Sequence, residues 1–405
     1  MHKLALWCCL LFTLTACHVG RTVVWNFGNY DDYKKFESVK IEHPLADSIF
    51  AFPRQIRPDL FHEKNISEDY LIAGNFEAFL KDSKTTSFIV LRHDTVIYEQ
   101  YLNGYQPSDL HCVNSVSKSF LSLLVGIALE DGKINSLQDT VAMYISEFQD
   151  SDLGTITIEE LLDMKSGIHF SEAYYNPFGN LAKFYYGINL RKYIRQMEIS
   201  KQSKDFDYIS VNTDILGWVL ENAIGKTVPD YLEEKVWQPL QMSYDATWSI
   251  DSKKHNVPKF SYGLNVRTSD LLKLGHLYVE RGTFNGKKLI SPEWIDLVLQ
   301  TDTTQIDAPN YKNHWWREVI YTTDSSLVES GYLLATYHDK NTQNHSPTTY
   351  KIGTDNYYAA GFLGQFVYVS PKTKTVIVRT GKKQGKTDWI HLFRTVNSVV
   401  NESKQ

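Results

Sequence analysis

Between Phe120 and Leu129 the chain reads Phe120-Leu121, Leu123-Leu124-Val125 and Ile127-Ala128-Leu129, interrupted only by Ser122 and Gly126. Wound as a helix, these side chains cover most of the circumference, and a helix that is apolar nearly all round must be surrounded by other elements. Asp131-Gly132 closes it, because glycine takes the left-handed C-cap conformation at little cost. The chain is therefore expected to fold around a central helix. At the N-terminal end of that helix stands Ser115-Val116-Ser117-Lys118, and Ser115 is the only serine with a lysine three residues on. Residues three apart on a helix share a face, with Cβ atoms about 5–6 Å apart. A serine hydroxyl becomes nucleophilic when a neighbour takes its proton, and an amine made neutral by burial can do so. The helix N-terminus adds backbone N–H groups that favour an oxyanion at Ser115. The competing reading is a plain helix cap at Asn114 or Ser115, with Lys118 reaching out to solvent.

Strand patterns lie towards the two ends of the chain. Ser87-Phe88-Ile89-Val90-Leu91, a turn at His93-Asp94, and Val96-Ile97-Tyr98-Glu99-Gln100-Tyr101 read as a hairpin over 86–103. Phe366-Val367-Tyr368-Val369 and Thr375-Val376-Ile377-Val378, joined through Ser370-Pro371-Lys372, read as a second, followed by an amphipathic helix over 388–400. Between them Thr157-Ile158-Glu159-Glu160 is a capping box. Further helices are expected over 213–224, 268–281 and 291–300, the last opened by Ser291-Pro292. The order predicts an α+β fold: an antiparallel sheet built from N- and C-terminal strands, flanked by helices, with a helical lobe inserted over about 132–270. Residues 61–400 would form this domain, and 17–60, with scattered aromatics and prolines, a tether and an extended wrap on its surface.

The composition suits such a core: 405 residues, 42% apolar and 13% aromatic. A net charge of −5 without a long basic block argues against nucleic acid as a partner. Met1-His2-Lys3, the apolar run 4–14 and Leu14-Thr15-Ala16-Cys17 form a secretory signal over 1–16, too short to span a bilayer. The residues at the cut resemble a bacterial lipobox. That resemblance implies a diacylglycerol thioether on Cys17 and a chain facing the periplasm, touching the membrane only through its lipid. His18, in place of an aspartate after the cysteine, implies the outer membrane. Cys8 and Cys9 would leave with the signal, so Cys112 has no disulfide partner and the fold must rest on its core. There is no His-Glu-x-x-His and no zinc-ligand spacing, so neither metal nor cofactor is expected. There is no Gly-x-Ser-x-Gly nucleophile elbow either.

Two further segments bear on Ser115. In Phe206-Asp207-Tyr208-Ile209-Ser210-Val211-Asn212, an extended chain would put Tyr208, Ser210 and Asn212 on one side. A tyrosine beside an ammonium and near a helix N-terminus has its phenolate favoured, and Tyr208 could then shuttle a proton between Ser115 and a leaving group. In Tyr357-Tyr358-Ala359-Ala360-Gly361-Phe362-Leu363-Gly364-Gln365, two glycines at a strand entrance would let a substrate lie along the backbone. The Gln365 N–H could complete an oxyanion hole with that of Ser115. A half-buried aromatic and a glycine bulge are the alternatives.

Together the three segments resemble the serine hydrolases of the penicillin-recognising fold, among them class C β-lactamases, DD-peptidases, esterases and 6-aminohexanoate-dimer hydrolases. Supporting stretches are Ile156–Leu162 leading to Ser166-Gly167, Tyr262-Gly263-Leu264-Asn265 leading to Thr268-Ser269-Asp270, and Phe284–Lys287 leading to Ser291-Pro292. The resemblance implies Ser115 as the acyl-accepting nucleophile, Lys118 as its base and Tyr208 as second proton carrier. Where β-lactamases of this group carry Tyr-x-Asn and Lys-Thr-Gly, this chain has Tyr208-Ile209-Ser210 and Phe362-Leu363-Gly364. Phe362 cannot bind a drug carboxylate as that lysine does. The expectation is thus hydrolysis of a small amide or ester, as in the 6-aminohexanoate-dimer hydrolase and carboxylesterase branch, with Ser210, Phe362 and Gly364 lining the substrate site. A DD-peptidase or β-lactamase, or a cell-wall-binding lipoprotein with vestigial hydrolysis, is the alternative. The aromatic-rich stretch 168–193 is either core or a lid, with Tyr174 or Tyr175 as the substrate contact.

Overall fold

In the computed structural model, residues 18–26, 28–61, 75–199, 204–300, 309–327, 332–337 and 348–402 are described. The chain divides into two units, one made of the residues up to Ile49 with Leu110–Arg267, the other of Phe50–Asp109 with Thr268–Gln405.

The first unit holds the helix that the apolar run demands. Helix α1 spans Val116–Glu130, and from Val116 to Ala128 every residue is buried. Its C-terminus folds back as expected: Gly132 has φ +67°, and the Asp131 and Lys133 N–H groups donate to Ile127 and Ala128 carbonyls at 2.8 Å. Helix α2, Val211–Ile224, packs beside it and is closed by Gly225 at φ +70°. The Thr157–Glu160 capping box is present in full. Residues 17–60, read from sequence as a tether and wrap, include within this unit a helix over His18–Trp25 and a strand over Ser38–Ile41. That strand opens a four-stranded antiparallel sheet that continues through Ala246–Ser249, Leu264–Val266 and His111–Cys112.

The second unit carries the sheet predicted from the chain ends. We label β1 Thr85–Arg92, β2 Thr95–Tyr101, β3 Trp315–Thr322, β4 Thr349–Gly361, β5 Gln365–Ser370 and β6 Thr375–Gly381. Among the described residues the order is β2-β1-β6-β5-β4-β3, then Tyr311–Lys312, with Tyr332–Tyr337 also paired to β4; every pairing is antiparallel. The β1–β2 turn works because His93 and Asp94 both take positive φ, 43° and 63°, which matches the twist of the paired strands. All eight residues of β1 are buried, because helices cover both faces of the sheet. On one face Phe88, Val90, Tyr368 and Ile377 meet Trp389, Leu392, Phe393 and Val396 of the C-terminal helix α4, Trp389–Glu402. On the other lies α3, Thr268–Val279. A Cβ on Gly275 of α3 would come 2.4 Å from Val376 Cγ1, so only glycine allows so close an approach. The α+β reading from the sequence holds.

Candidate active site

Ser115 opens α1 from a tight entry. Asn114 takes φ +47°, the Val113 N–H donates to the Leu264 carbonyl at 3.1 Å, and Ser117 Oγ donates to Asn114 O at 2.6 Å while accepting from Leu264 N–H at 3.1 Å. The turn that carries Ser115 is thereby stapled to the strand Leu264–Val266. Ser115 sits at the N-cap position but makes no capping hydrogen bond with its side chain, so the plain-cap reading does not account for its hydroxyl.

Nor does Lys118 reach for solvent: it is 1% exposed. Three oxygens surround its Nζ, Ser115 Oγ at 3.0 Å, Ser210 Oγ at 3.3 Å and the Ser261 carbonyl at 2.8 Å. Burial pulls the amine down to about 8, against Glu172 and Asp214, whose negative charges favour the ammonium. The Tyr208 ring lies with its centre 5.3 Å from Nζ, and its phenol hydrogen-bonds Ser115. The expectation of a favoured phenolate is corrected here. Loss of solvation dominates and pushes the Tyr208 phenol up, the hydrogen bond from Ser115 offsetting it only in part and Glu172 adding to it. Tyr208 is a neutral phenol, and Lys118 is the group poised to lose a proton near neutrality.

The extended reading of 206–212 holds only as far as Ser210. At Ser210 the backbone turns to helical φ −63°, ψ −28°, which rotates Asn212 away. Its amide oxygen accepts from Ser166 Oγ at 2.6 Å, whereas Ser210 stays on the Lys118 side. Three residues that no pattern singled out complete the surroundings. Glu172 accepts from Ser210 Oγ at 2.6 Å and from its N–H at 3.0 Å. Asp214 accepts from the Ser261 N–H at 3.2 Å and its Oγ at 3.1 Å. Ser261 in turn presents the carbonyl to Lys118. Burial pushes the Asp214 carboxyl up to about 7, with Lys118 the largest opposing influence.

The aromatic stretch 168–193 splits in two. Phe184 and Tyr186 are core, whereas Tyr174, Tyr175 and Phe178 are 41%, 70% and 72% exposed. The phenol of Tyr174 is pushed up by desolvation and by Glu172 and Tyr208, which places it at the Glu172–Tyr208 side of the site. Phe362, Gly364 and Gln365 belong to the other unit, at the β4–β5 turn, where Leu363 and Gly364 take φ +66° and +83°. A Cβ on Gly364 would lie 2.1 Å from Arg379 Nη1. The Gln365 amide bridges the Gly381 backbone, donating to its carbonyl at 2.7 Å and accepting from its N–H at 3.1 Å. Cys17 and the signal segment lie outside the described residues. Cys112 is buried beside Asn114 and Tyr262, with its thiol pushed up to about 12 by burial, which suits a packing residue. Among the described residues one group has metal-ligand character, Asp94, His276 and Glu280 of the second unit. Its carboxylates are already engaged, Asp94 with His276 Nε2 at 2.6 Å and Glu280 with Lys374 Nζ at 2.8 Å.

Comparison with known proteins bears on the family and the fold. Residues 72–399 match the Beta-lactamase family. A 6-aminohexanoate-dimer hydrolase of Paenarthrobacter ureafaciens is 26% identical over 263 residues, covering 60% of this chain and 66% of the relative, just under two thirds of its length. A Bacillus anthracis structure provisionally described as a 6-aminohexanoate-dimer hydrolase superposes with a TM-score of 0.73 at 20% identity, covering 94% of both chains. A class C β-lactamase superposes at 0.55 and 16% identity, covering 84% of this chain and all of that one.

Proposed function

This chain belongs to the β-lactamase family of serine hydrolases, and we propose that it hydrolyses a small amide or ester through an acyl-enzyme on Ser115. The observation that carries the reading is the 3.0 Å line between Lys118 Nζ and Ser115 Oγ, with the Tyr208 phenol on the same hydroxyl. Neutral Lys118 takes the Ser115 proton as Oγ bonds to the substrate carbonyl carbon. The developing oxyanion faces the N-terminus of α1, whose first N–H groups and dipole favour negative charge. Tyr208 then hands its proton to the leaving amine or alkoxide, and its phenolate takes back the proton that Lys118 removed from Ser115. Water releases the acyl group by the same path reversed. Ser210 and Tyr174 flank the reacting centre.

Amide or ester substrates are favoured over β-lactam drugs because Phe362 stands where β-lactamases of this group carry a carboxylate-binding lysine. The relative named for 6-aminohexanoate dimer points the same way. Lipid attachment at Cys17 and a periplasm-facing location complete the proposal, supported by the basic start, the apolar run and the small residues before the cysteine. Among the described residues no helix is long and apolar enough to cross a membrane.

The test is labelling with a fluorophosphonate. Wild type is expected to label and Ser115→Ala not; equal labelling of both, or of neither, overturns the assignment. Hydrolysis of p-nitrophenyl esters without turnover of nitrocefin is expected, and the reverse preference would make the protein a β-lactamase. Incorporation of labelled palmitate that survives Cys17→Ala would refute the anchor.

A further inference from the structure

Lys118 Nζ has room for three partners beyond its own carbon, and three oxygens lie within 3.3 Å of it. For a neutral amine these cannot be equivalent: two are met by N–H groups and the third by the lone pair. Catalysis needs the lone pair on Ser115 Oγ, so both N–H groups must be held elsewhere. The Ser261 carbonyl holds one, since a carbonyl can only accept. Ser210 is ambiguous by nature, because a hydroxyl donates or accepts according to where its hydrogen points. If its hydrogen pointed at Lys118, it would capture the lone pair and turn the base away from the nucleophile.

We infer that Glu172 is a positioning residue that resolves this ambiguity: by taking the Ser210 hydroxyl hydrogen, it leaves Ser210 able only to accept from Lys118 and aims the Lys118 lone pair at Ser115. The inference rests on the acyl-enzyme reading of Ser115. A carboxylate can only accept, and at 2.6 Å from Ser210 Oγ it commits that hydroxyl's hydrogen. The second oxygen accepts from the Ser210 N–H at 3.0 Å, so the carboxylate grips one residue at two points and neither can swing. Ser210 itself is buried and starts α2, which gives the relay a rigid base. Asp214 plays the parallel part for the other acceptor, but through a peptide carbonyl that has no hydrogen to misdirect.

A purely structural role is the alternative: a carboxylate at the start of α2 stabilises that helix through its N-terminal charge. The two roles separate in the coupling of Glu172 to Ser210, and the Glu172 charge also shows in the pH dependence. The groups facing Lys118 are Glu172 from the segment after Ser166-Gly167, Asp214 from α2, the Tyr208 ring and phenol, and the Ser115 hydroxyl; Lys259 acts on it through Asp214. Glu172 favours the ammonium, so removing it makes Lys118 easier to deprotonate and moves the acid limb of the rate to lower pH, even as the rate itself falls. Loss of helix stabilisation alone lowers the melting temperature and slows labelling by a factor that does not depend on whether Ser210 is present.

The experiment measures the second-order rate of labelling by an alkyl fluorophosphonate from pH 5 to 10, in which the Ser115 Oγ–P bond forms, P–F breaks, fluoride leaves and the hydroxyl proton passes to Lys118. Glu172→Ala and the isosteric Glu172→Gln are compared with Ser210→Ala and with the double variant Glu172→Ala/Ser210→Ala. Each single variant is expected to label about 10- to 100-fold more slowly, part of the 10²–10⁴ that a positioned base supplies, and both Glu172 variants with an acid limb at lower pH. The double variant should label no more slowly than Ser210→Ala, because Glu172 acts through Ser210. Wild-type rate and limb in both Glu172 variants, or losses that multiply in the double variant, overturn the inference while leaving the Ser115 assignment intact. Undiminished labelling of Ser115→Ala would instead overturn the acyl-enzyme reading beneath it.

Discussion

Lys118 Nζ lies 2.8 Å from the carbonyl oxygen of Ser261, 143 residues further along the chain. Asp214 holds the same Ser261 by its N–H and its hydroxyl. The amine is therefore held by an anchored carbonyl as well as by Ser115, and the cost of burying it falls on its proton. A buried ammonium loses hydration that three neutral oxygens restore only in part, so the neutral form gains.

That arrangement predicts different fates for two replacements of Lys118. Lys118→Arg keeps a cation that cannot be deprotonated and Lys118→Met keeps volume without a base, so both should lose about 10³-fold in kcat/KM on a p-nitrophenyl ester. Lys118→Met should nevertheless melt no lower than wild type, because it removes a poorly solvated amine. A Lys118→Met enzyme retaining a tenth of wild-type activity would refute the role of base.

The pH profile follows from the amine held near 8. The rate needs neutral Lys118, so kcat/KM should rise with pH through a midpoint near 8 and not fall there. Stability has its own sign. Between about 8 and 10.5 the unfolded chain binds the Lys118 proton and the folded chain does not, so this group makes stability increase with pH across that window. Lys259, lowered to about 7 chiefly by burial, acts in the same direction. Denaturant midpoints of wild type and Lys118→Met should converge towards pH 10 and separate below 8, the variant being the more stable. Parallel curves would contradict the burial of a titrating Lys118.

Tyr208→Phe removes the phenol that bonds Ser115 and leaves the ring beside Lys118. We expect kcat to fall about 10²-fold with the melting temperature nearly unchanged. The loss should be larger for an amide than for a p-nitrophenyl ester, whose leaving group needs no proton. Equal losses on both would remove Tyr208 from leaving-group protonation.

Gly217, in the interior of α2, faces Phe260: an added Cβ would come 2.2–2.5 Å from three ring atoms. Helix propensity favours alanine by about 0.5–1 kcal/mol, while overpacking a buried ring costs about 1–3 kcal/mol. Gly217→Ala should therefore destabilise, read as a lower urea midpoint. A higher midpoint would show that Phe260 can yield.

Cys112, fully enclosed and with its thiol pushed up to about 12, should resist iodoacetamide in the native protein and react once guanidinium unfolds it. Peptide mapping that finds Cys112 alkylated under native conditions would count against the burial.

Elements read correctly from the sequence are those whose determinants are local. The α1 apolar run, the Thr157–Glu160 capping box, the His93-Asp94 turn and the two hairpins each carry their signal within a dozen residues, and each appears in the structure. Ser115 and Lys118 belong to the same class, one helical turn apart. The reading of Asn212 failed because alternation assumes an extended chain, and α2 begins one residue after Ser210. The phenolate expectation for Tyr208 failed because neighbouring charge was legible in the sequence and desolvation was not.

Sequence alone thus determined that a serine and a lysine share the first turn of a helix that has to be buried, and that strands from the chain ends form a sheet. Tertiary structure decided what surrounds the amine: Ser210, Ser261, Glu172 and Asp214 reach Lys118 or its partners from segments far apart in the chain. No spacing rule links such segments, because their meeting is set by the packing of α1, α2 and the connecting chain around one buried site. The same packing strips water from Lys118, and that loss of solvation favours its neutral amine.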